Sequence, residues 1–437
     1  MCLQGGLMAF ILLAIPNTPR FDVVLLFLLA LSSAFYFFAV NKSWTGVFEF
    51  QKNRWLWAVF LGLSFYLHLN ALWAPNPSAA IIKAATFTLV ILIAIVMAGT
   101  FRQQSDDAIA RIGKVIIWGS VIGTGFACLE FATGYAIREA LYLAWPSIRP
   151  GDNSIKVHAQ INGEMVRLLE SEFRRHYDKI IIEIEPAAAN RNATVIMLLL
   201  WPVLLLAVNQ TDMLKRRAAV LLIVVTSALS VALSVSQTAQ VALVLSSLAF
   251  LMAIYLPRLT HHAIVGAWCI VTVFAVPLAA APFELELHRS DWIFRNARDR
   301  IKIWHYTARQ IPKAPILGAG IRSTRIISKQ LQKDVMLEPG DTTNPMRLGR
   351  HSHNHYLQIW YELGAVGVAL FLLAGLALLQ KIRLMTQSIR PYAYASFVAA
   401  CGIAAFGWGM WQTWLLAGYS LSAIFLIFAV EFAKKRT

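Results

Sequence analysis

Residues 350–380 read RHSHNHYLQIWYELGAVGVALFLLAGLALLQ, three histidines running straight into an apolar stretch that spans 357–379. A helix of about 20 such residues crosses a hydrocarbon core. The histidines therefore stand where a membrane helix meets water. His353-Asn354 is followed after nine residues by Gly364 and after two more by Gly367, giving His-Asn-x9-Gly-x2-Gly.

Outward from this segment, similar apolar runs recur along most of the 437 residues. With 58% hydrophobic residues, 14% charged residues and a mean hydropathy of +0.59, a soluble globule is excluded. The chain reads as an all-α polytopic membrane protein with about twelve transmembrane helices, at 3–16, 20–40, 55–74, 77–99, 113–134, 188–208, 218–235, 239–256, 263–281, 355–380, 391–410 and 413–433. Residues 1–6 lack the basic start of a cleavable signal.

Lys and Arg in the short loops set the orientation. With the N-terminus inside, the inner connections carry Lys42, Lys52, Arg54, Arg102, Arg111, Lys114, Lys215, Arg216, Arg217, Arg258, Lys381, Arg383, Arg390, Lys434, Lys435 and Arg436, and the short outer loops only Arg20. The expected organisation is helices 1–5 in 1–134, an outer segment at 135–187, helices 6–9 in 188–281, a large outer loop at 282–354, and helices 10–12 with a cytoplasmic tail in 355–437. Both termini then lie in the cytoplasm.

The first outer segment balances seven basic against eight acidic residues. Residues 154–160 alternate like a strand, Asn162-Gly163 supplies a tight hairpin turn, 164–169 returns as a strand or starts a helix, and 180–185 is strand-like. Acidic pairs such as Glu183-x-Glu185 and Glu284-x-Glu286 could ligate a hard cation, but solvent-facing alternation explains them at least as well. The large loop carries thirteen Lys/Arg against seven Asp/Glu, a net charge of +6 that favours an anionic partner.

Helical phase sharpens that loop. Ile293, Ala297, Trp304, Ala308 and Ile311 share one stripe, with Arg295, Arg298, Lys302 and Arg309 opposite. Arg300 falls on the apolar stripe. A guanidinium turned inward needs an anion, and its planar fork suits phosphate oxygens. At the same outer depth lie Lys83, two turns into its span, Asn190-Arg191-Asn192 at the head of a helix, and the turn Ser234-Val235-Ser236-Gln237-Thr238. Intramembrane cations and helix N-termini are both anion-site candidates; snorkelling and ordinary capping are the plainer readings. Glu130 and Glu362 read as partners of a lysine or arginine.

On a continuous helix, Gly364 and Gly367 return to within about 40° of His353 and let a neighbouring helix approach closely. His353 then sits at the outer mouth of a pinned helix, where an imidazole can act as a general base at neutral pH. His351 and His355 are alternatives. A metal site of the three histidines suits a strand better than a helix start.

At this point the residues resemble a known family. His353-Asn354-x9-Gly364-x2-Gly367, Trp73-Ala74-Pro75-Asn76-Pro77, Arg191, Arg300-x3-Trp304 and Pro315-Ile316-Leu317-Gly318-Ala319-Gly320 are similar to features of the O-antigen ligase and polymerase superfamily. Gln237 departs from the basic residue expected there. The resemblance implies a GT-C-like, inverting glycosyltransferase of the bacterial inner membrane, independent of metal or other cofactor. It would move a glycan from undecaprenyl pyrophosphate to lipid A-core at the periplasmic face, with membrane lipids and no nucleic acid as further partners. It also implies catalytic roles for His353, Arg191 and Arg300, and substrate contacts for Lys83, Asn192, Ser236, Gln237, Trp304, Asn354 and Tyr356. Residues 336–349, rich in Gly, Pro and Thr, read as a mobile gate. The rival readings are a polymerase, with a second lipid-linked glycan as acceptor, and a lipid-linked glycan transporter.

Overall fold

The computed structural model describes residues 54–145, 155–161, 163–168, 180–184, 186–325 and 351–435, with Leu28 and Glu172 as isolated positions. The expected spans at 3–16 and 20–40 and the gate at 336–349 lie outside the described residues. In chain order, α1 is Arg54–Asn70, extended by a 3-10 turn at Ala71–Trp73, followed by α2 Pro77–Arg102, α3 Asp106–Ala132 and α4 Ala136–Ala144. Three strands follow, β1 Ile155–Ile161, β2 Glu164–Arg167 and β3 Ile180–Ile184. Then come α5 Pro186–Val208, α6 Met213–Leu233, α7 Gln237–Tyr255, α8 Pro257–Val273, α9 Ala275–Glu284, α10 Arg295–Gln310, α11 His355–Arg383, α12 Arg390–Phe406 and α13 Thr413–Lys434.

The chain is a helical polytopic membrane protein: eight of these helices are long and apolar enough to cross a bilayer. Two expected spans differ in form. Span 263–281 is a broken pair, α8 and α9, bent by 71°. Pro277 explains the break, since it has no N–H for the Val273 carbonyl and its ring crowds that oxygen. Span 391–410 is the 17-residue α12, which gives way to a turn at 407–412. Helix α3 begins seven residues earlier than expected, where Ser105 caps it by accepting from Ala108 N.

The bundle centres on α5, whose Val195, Met197, Leu205, Leu206 and Ala207 are wholly buried, flanked by α13, α6 and α12. The first outer segment holds an antiparallel sheet of order β2-β1-β3. Ile161 pairs with Glu164, which makes Asn162-Gly163 the expected two-residue turn, with Gly163 at φ +87°. Lys156 opposes Glu183 across β1 and β3 and binds it at 3.2 Å, so that acidic residue serves a cross-strand pair. The amphipathic α4, which the residue pattern did not reveal, lies between α3 and the sheet, and its Tyr142 packs on the sheet core of Val157, Ala159 and Ile182.

The position of the outer residues depends on α11. Gly364 has φ +62° and ψ −167°, so the helix breaks there and the continuous phase assumed from His353 to Gly367 does not hold. His353 also lies outside α11, which starts at His355 with Asn354 as its cap. What enters the break is the turn and loop segment 315–320 rather than a neighbouring helix. Ala319 N and Gly320 N donate to Tyr361 O and Glu362 O at 2.9 Å, while Ala365 N and Val366 N donate to Pro315 O and Ile316 O at 2.9 and 3.2 Å. Tyr66 Oη donates to Leu363 O at 2.8 Å and to Leu317 O at 3.0 Å, and Asn70 Nδ2 donates to Leu317 O at 2.9 Å. Non-helical backbone at membrane depth is tolerated only when protein groups replace water in this way.

Space at the break is too small for any side chain. A Cβ on Gly364 would lie 2.4 Å from Ile316 O, and one on Gly318 would lie 2.3 Å from Glu362 O. We expect Gly364→Ala to lose the clash-free dock and to add about 1–3 kcal/mol of left-handed strain, whereas Gly125→Ala, with open space around it, should change stability by about 1 kcal/mol or less. Thermal unfolding in detergent checks this. Equal melting temperatures for the two variants would refute the dock.

Candidate active site

At the end of the bundle that carries the long segments, the head of α5, the α6–α7 turn, α10, the approach to α11 and the turn after α12 converge. They enclose a cleft of about 470 Å³ lined by Asn190, Ser236, Gln237, Asn296, Asp299, Arg300, Ile303, His353, Gly407 and Trp408, together with Val235 and Thr238. Residues more than 200 positions apart thus share one space.

Several of the polar side chains around the cleft bind backbone atoms. Ser236 caps α7 by accepting from Ala239 N at 3.4 Å, and Ser234 Oγ accepts from Ser236 N at 3.3 Å, which explains why the turn is so tight. Arg300 donates from Nη1 to Phe406 O at 2.7 Å, and Thr238 Oγ1 donates to the same oxygen at 2.7 Å. One carbonyl thereby ties α7, α10 and the end of α12. The buried side of α10 runs through Ile301, Ile303, Thr307 and Ala308, and Arg300 borders it, facing the protein as the helical phase requires. Four residues on, Trp304 donates from Nε1 to Ser352 O at 2.8 Å. The Arg300-x3-Trp304 spacing thus places one residue in the cleft and fixes with the other the backbone just before His353.

His353 occupies the left-handed region at φ +54°. Its Nδ1 lies 3.0 Å from Gly407 O. A carbonyl oxygen only accepts, so the neutral imidazole carries its hydrogen on Nδ1 and Nε2 is the basic atom. Burial, then the neighbouring His351, then the Arg300 guanidinium hold its pKa well below the ordinary histidine value. His353 is therefore neutral at pH 7, the form a base needs. His351 packs at 4.0 Å between ring centroids, with its Nε2 3.3 Å from Gln412 Nε2, and its pKa is lowered to about 4, chiefly by burial. His355 donates from Nε2 to Trp408 O at 2.8 Å inside the bundle. The three histidines thus hold the 407–412 turn by three different contacts.

The remaining expected site residues divide. Ser236, Gln237, Arg300 and His353 meet in the cleft, and Arg191 borders it, its guanidinium 5.4 Å from the centre of the Trp408 ring. Asn354 caps α11, accepting from Leu357 N at 3.1 Å. Asn192 is buried in the head of α5, and Tyr356 packs among Trp268 and Phe371 with its hydroxyl 3.4 Å from Cys401 O, so neither lines the cleft. Lys83 stands apart from it, donating to Thr413 Oγ1 at 2.8 Å on the side of Arg322 and Arg325. Glu130 pairs with Arg138 at 3.2 Å as expected. Glu362 does not pair with a cation: among the described residues its partners are neutral donors. Gly407 and Trp408 escaped the sequence reading, although Gly407-Trp408-Gly409 at the end of a span was a visible signal of close packing. A Cβ on Gly409 would lie 2.8 Å from His351 Cβ.

Residues 222–372 match a family model described as O-antigen ligase. That stretch contains the Ser236-Gln237 turn, Arg300-x3-Trp304, the docked 315–320 segment and His353 through Gly367. The chain is 33% identical over 141 residues to a protein of Rickettsia typhi, covering 32% of this chain and 33% of the relative. It is 33% identical over 123 residues to one of Rickettsia conorii, covering 28% and 29%, and 32% identical over 142 residues to one of Rickettsia prowazekii, covering 32% and 33%. All three carry the provisional name of polysaccharide ligase, and the chain spans about a third of their length or less. The docked segment, the histidine motif and much of the cleft lining fall inside residues 222–372, the part of this chain that is similar to the O-antigen ligase family, whereas Asn190, Gly407 and Trp408 lie outside it.

Proposed function

We propose that the protein is an O-antigen ligase, an inverting glycosyltransferase that moves a glycan from undecaprenyl pyrophosphate to lipid A-core at the periplasmic face of the bacterial inner membrane. The observation that carries this reading is the convergence in one cleft of Arg300, the α7 N-terminus and a neutral, Nδ1-tethered His353. A diphosphate leaving group gathers negative charge as the glycosidic bond breaks. Arg300, Arg191 and the N–H groups at the head of α7 can meet that charge, the last of these standing in for the basic side chain that Gln237 lacks. The donor is already activated, so a pair of catalytic carboxylates is unnecessary.

His353 Nε2 then takes the proton of the acceptor hydroxyl as its oxygen attacks the anomeric carbon from the side opposite the diphosphate. The bond to the diphosphate oxygen breaks, and the proton later leaves His353 for solvent. Substrate also tunes the base: burial and His351 depress the His353 pKa more than Arg300 does, and an anion beside Arg300 offsets that last contribution, which raises the proton affinity when the donor is bound. The +6 charge of the 282–354 loop supports a phosphorylated acceptor as well as the donor.

Purified protein incubated with a lipid-linked glycan and either lipid A-core or a second donor tests the reading. Glycosylated lipid A-core is expected. A lengthened lipid-linked glycan would make the protein a polymerase, and lipid translocation without covalent product would make it a transporter.

Within that assay, folded His353→Ala should lose about 10²–10⁴-fold in kcat while still binding donor. Near-normal turnover would remove His353 from the base role. Arg300→Ala should cost about 10²–10³-fold, with weaker donor binding, and an unaffected donor Kd would place the diphosphate elsewhere. In pH profiles, a depressed free-enzyme pKa keeps the base available as pH falls. The acid limb of kcat/KM should therefore lie below pH 6.5 and below that of kcat. The reverse order would contradict the electrostatics.

A further inference from the structure

We infer that Glu362 is a positioning residue for His353, acting through the 406–412 turn; this rests on the reading of His353 as base. Glu362 is wholly buried, two residues before the break in α11. Its Oε2 accepts from Arg322 N at 2.9 Å and from Trp411 Nε1, and its Oε1 accepts from Thr324 N at 3.2 Å, Thr324 Oγ1 at 2.5 Å and Gln358 Nε2 at 3.1 Å. Four of these five groups are N–H donors that can only donate. The enclosure is shaped for a carboxylate with both oxygens fully used.

A buried carboxylate is costly to solvate with protein groups, and apolar packing would fill the same space at less expense. The source of the donors shows what the carboxylate achieves. Arg322 and Thr324 follow directly on the docked 315–320 segment, whereas Trp411 belongs to the turn between α12 and α13. Gln358 reinforces the second arm, because its Oε1 accepts from Met410 N at 3.2 Å. One side chain therefore fastens the 410–411 backbone to α11.

The same short turn supplies the carbonyls of the cleft. Phe406 O receives Arg300, Gly407 O receives His353 Nδ1, and Trp408 O receives His355. Gly407 O is the contact that places hydrogen on Nδ1 and leaves Nε2 basic. It lies only three residues before Met410 and four before Trp411, with no regular secondary structure between to hold it. If the 410–411 anchor loosens, Gly407 O shifts, and His353 is released to populate the Nε2–H tautomer, which has no lone pair toward the acceptor. Glu362 touches no cleft surface itself, so its influence on transfer runs through that carbonyl.

The tautomer of His353 can be read without any glycosyl transfer. In protein labelled with ¹⁵N-histidine and assigned by loss of the signal in His353→Asn, wild-type His353 is expected as Nδ1–H at pH 7. In Glu362→Gln the amide turns an N–H toward donors, and the Nδ1 and Nε2 shifts should move toward a mixed tautomer. The donor Kd should stay within about twofold and kcat fall by about 10²-fold, the scale of a small misplacement of a reacting group. Trp411→Phe, which keeps the carboxylate and cuts only the turn arm, should give the same tautomer shift, while Thr324→Val, on the other arm, should not. Should Glu362→Gln fail to fold, Trp411→Phe carries the test. Unchanged His353 shifts in folded Trp411→Phe overturn the proposal, as does an equal shift in Thr324→Val. If His353→Ala proves active while these shifts still appear, the base reading fails and the positioning contact stands.

Discussion

The break in α11 is the constraint on which the outer half of the molecule depends. A helix interrupted inside a bilayer exposes peptide groups with no water to receive them, each costing several kcal/mol if left alone (about 2–7). Here the 315–320 segment supplies the partners on one side, and Tyr66 and Asn70 of α1 supply them on the other. Gly318 and Gly364 make the approach possible, since each would place a Cβ within 2.5 Å of the facing backbone. The dock joins α1, the large loop and α11 into one unit, and it fixes where the chain emerges toward Arg322 and Glu362.

From that unit the polar groups of the cleft are held mostly by carbonyl oxygens. This choice has an electrostatic consequence. A carboxylate partner on His353 would stabilise the imidazolium, whereas the Gly407 carbonyl directs the tautomer without supplying a full negative charge. His353 can then remain neutral beside Arg300 until an anion arrives. Arg300, anchored on the uncharged Phe406 O, keeps a cation in the cleft. In the proposed reading, an anionic ligand satisfies both residues together.

Much of the architecture was legible in the sequence because it is locally periodic. Apolar runs located eight spans among the described residues, Asn162-Gly163 fixed a hairpin register, and the seven- and four-residue intervals around Arg300 turned it toward the protein. Arg300, His353, Ser236 and Gln237 were found because each sits at a helix end or breaks an apolar pattern. The rest depends on contacts that leave no period. Gly364 looked like a helix-packing glycine because its partner, Gly318, is forty-six residues earlier. Glu362 looked like half of an ion pair because its donors are backbone groups, which every residue carries. Lys83 seemed to share the depth of Arg191, but depth alone does not give azimuth around a bundle, and it lies beside Thr413 instead. Tyr356 followed His353 in sequence but turned into the helix interface once α11 began at His355.

The central claim is that one cleft holds both the diphosphate and the base. A structure of the protein bound to a non-hydrolysable undecaprenyl diphosphate glycan tests it most directly. The account predicts the diphosphate against Arg300 and the head of α7, with the anomeric carbon on the Nε2 side of His353. A diphosphate seated beside Lys83 and Arg322, with the cleft empty, would contradict it.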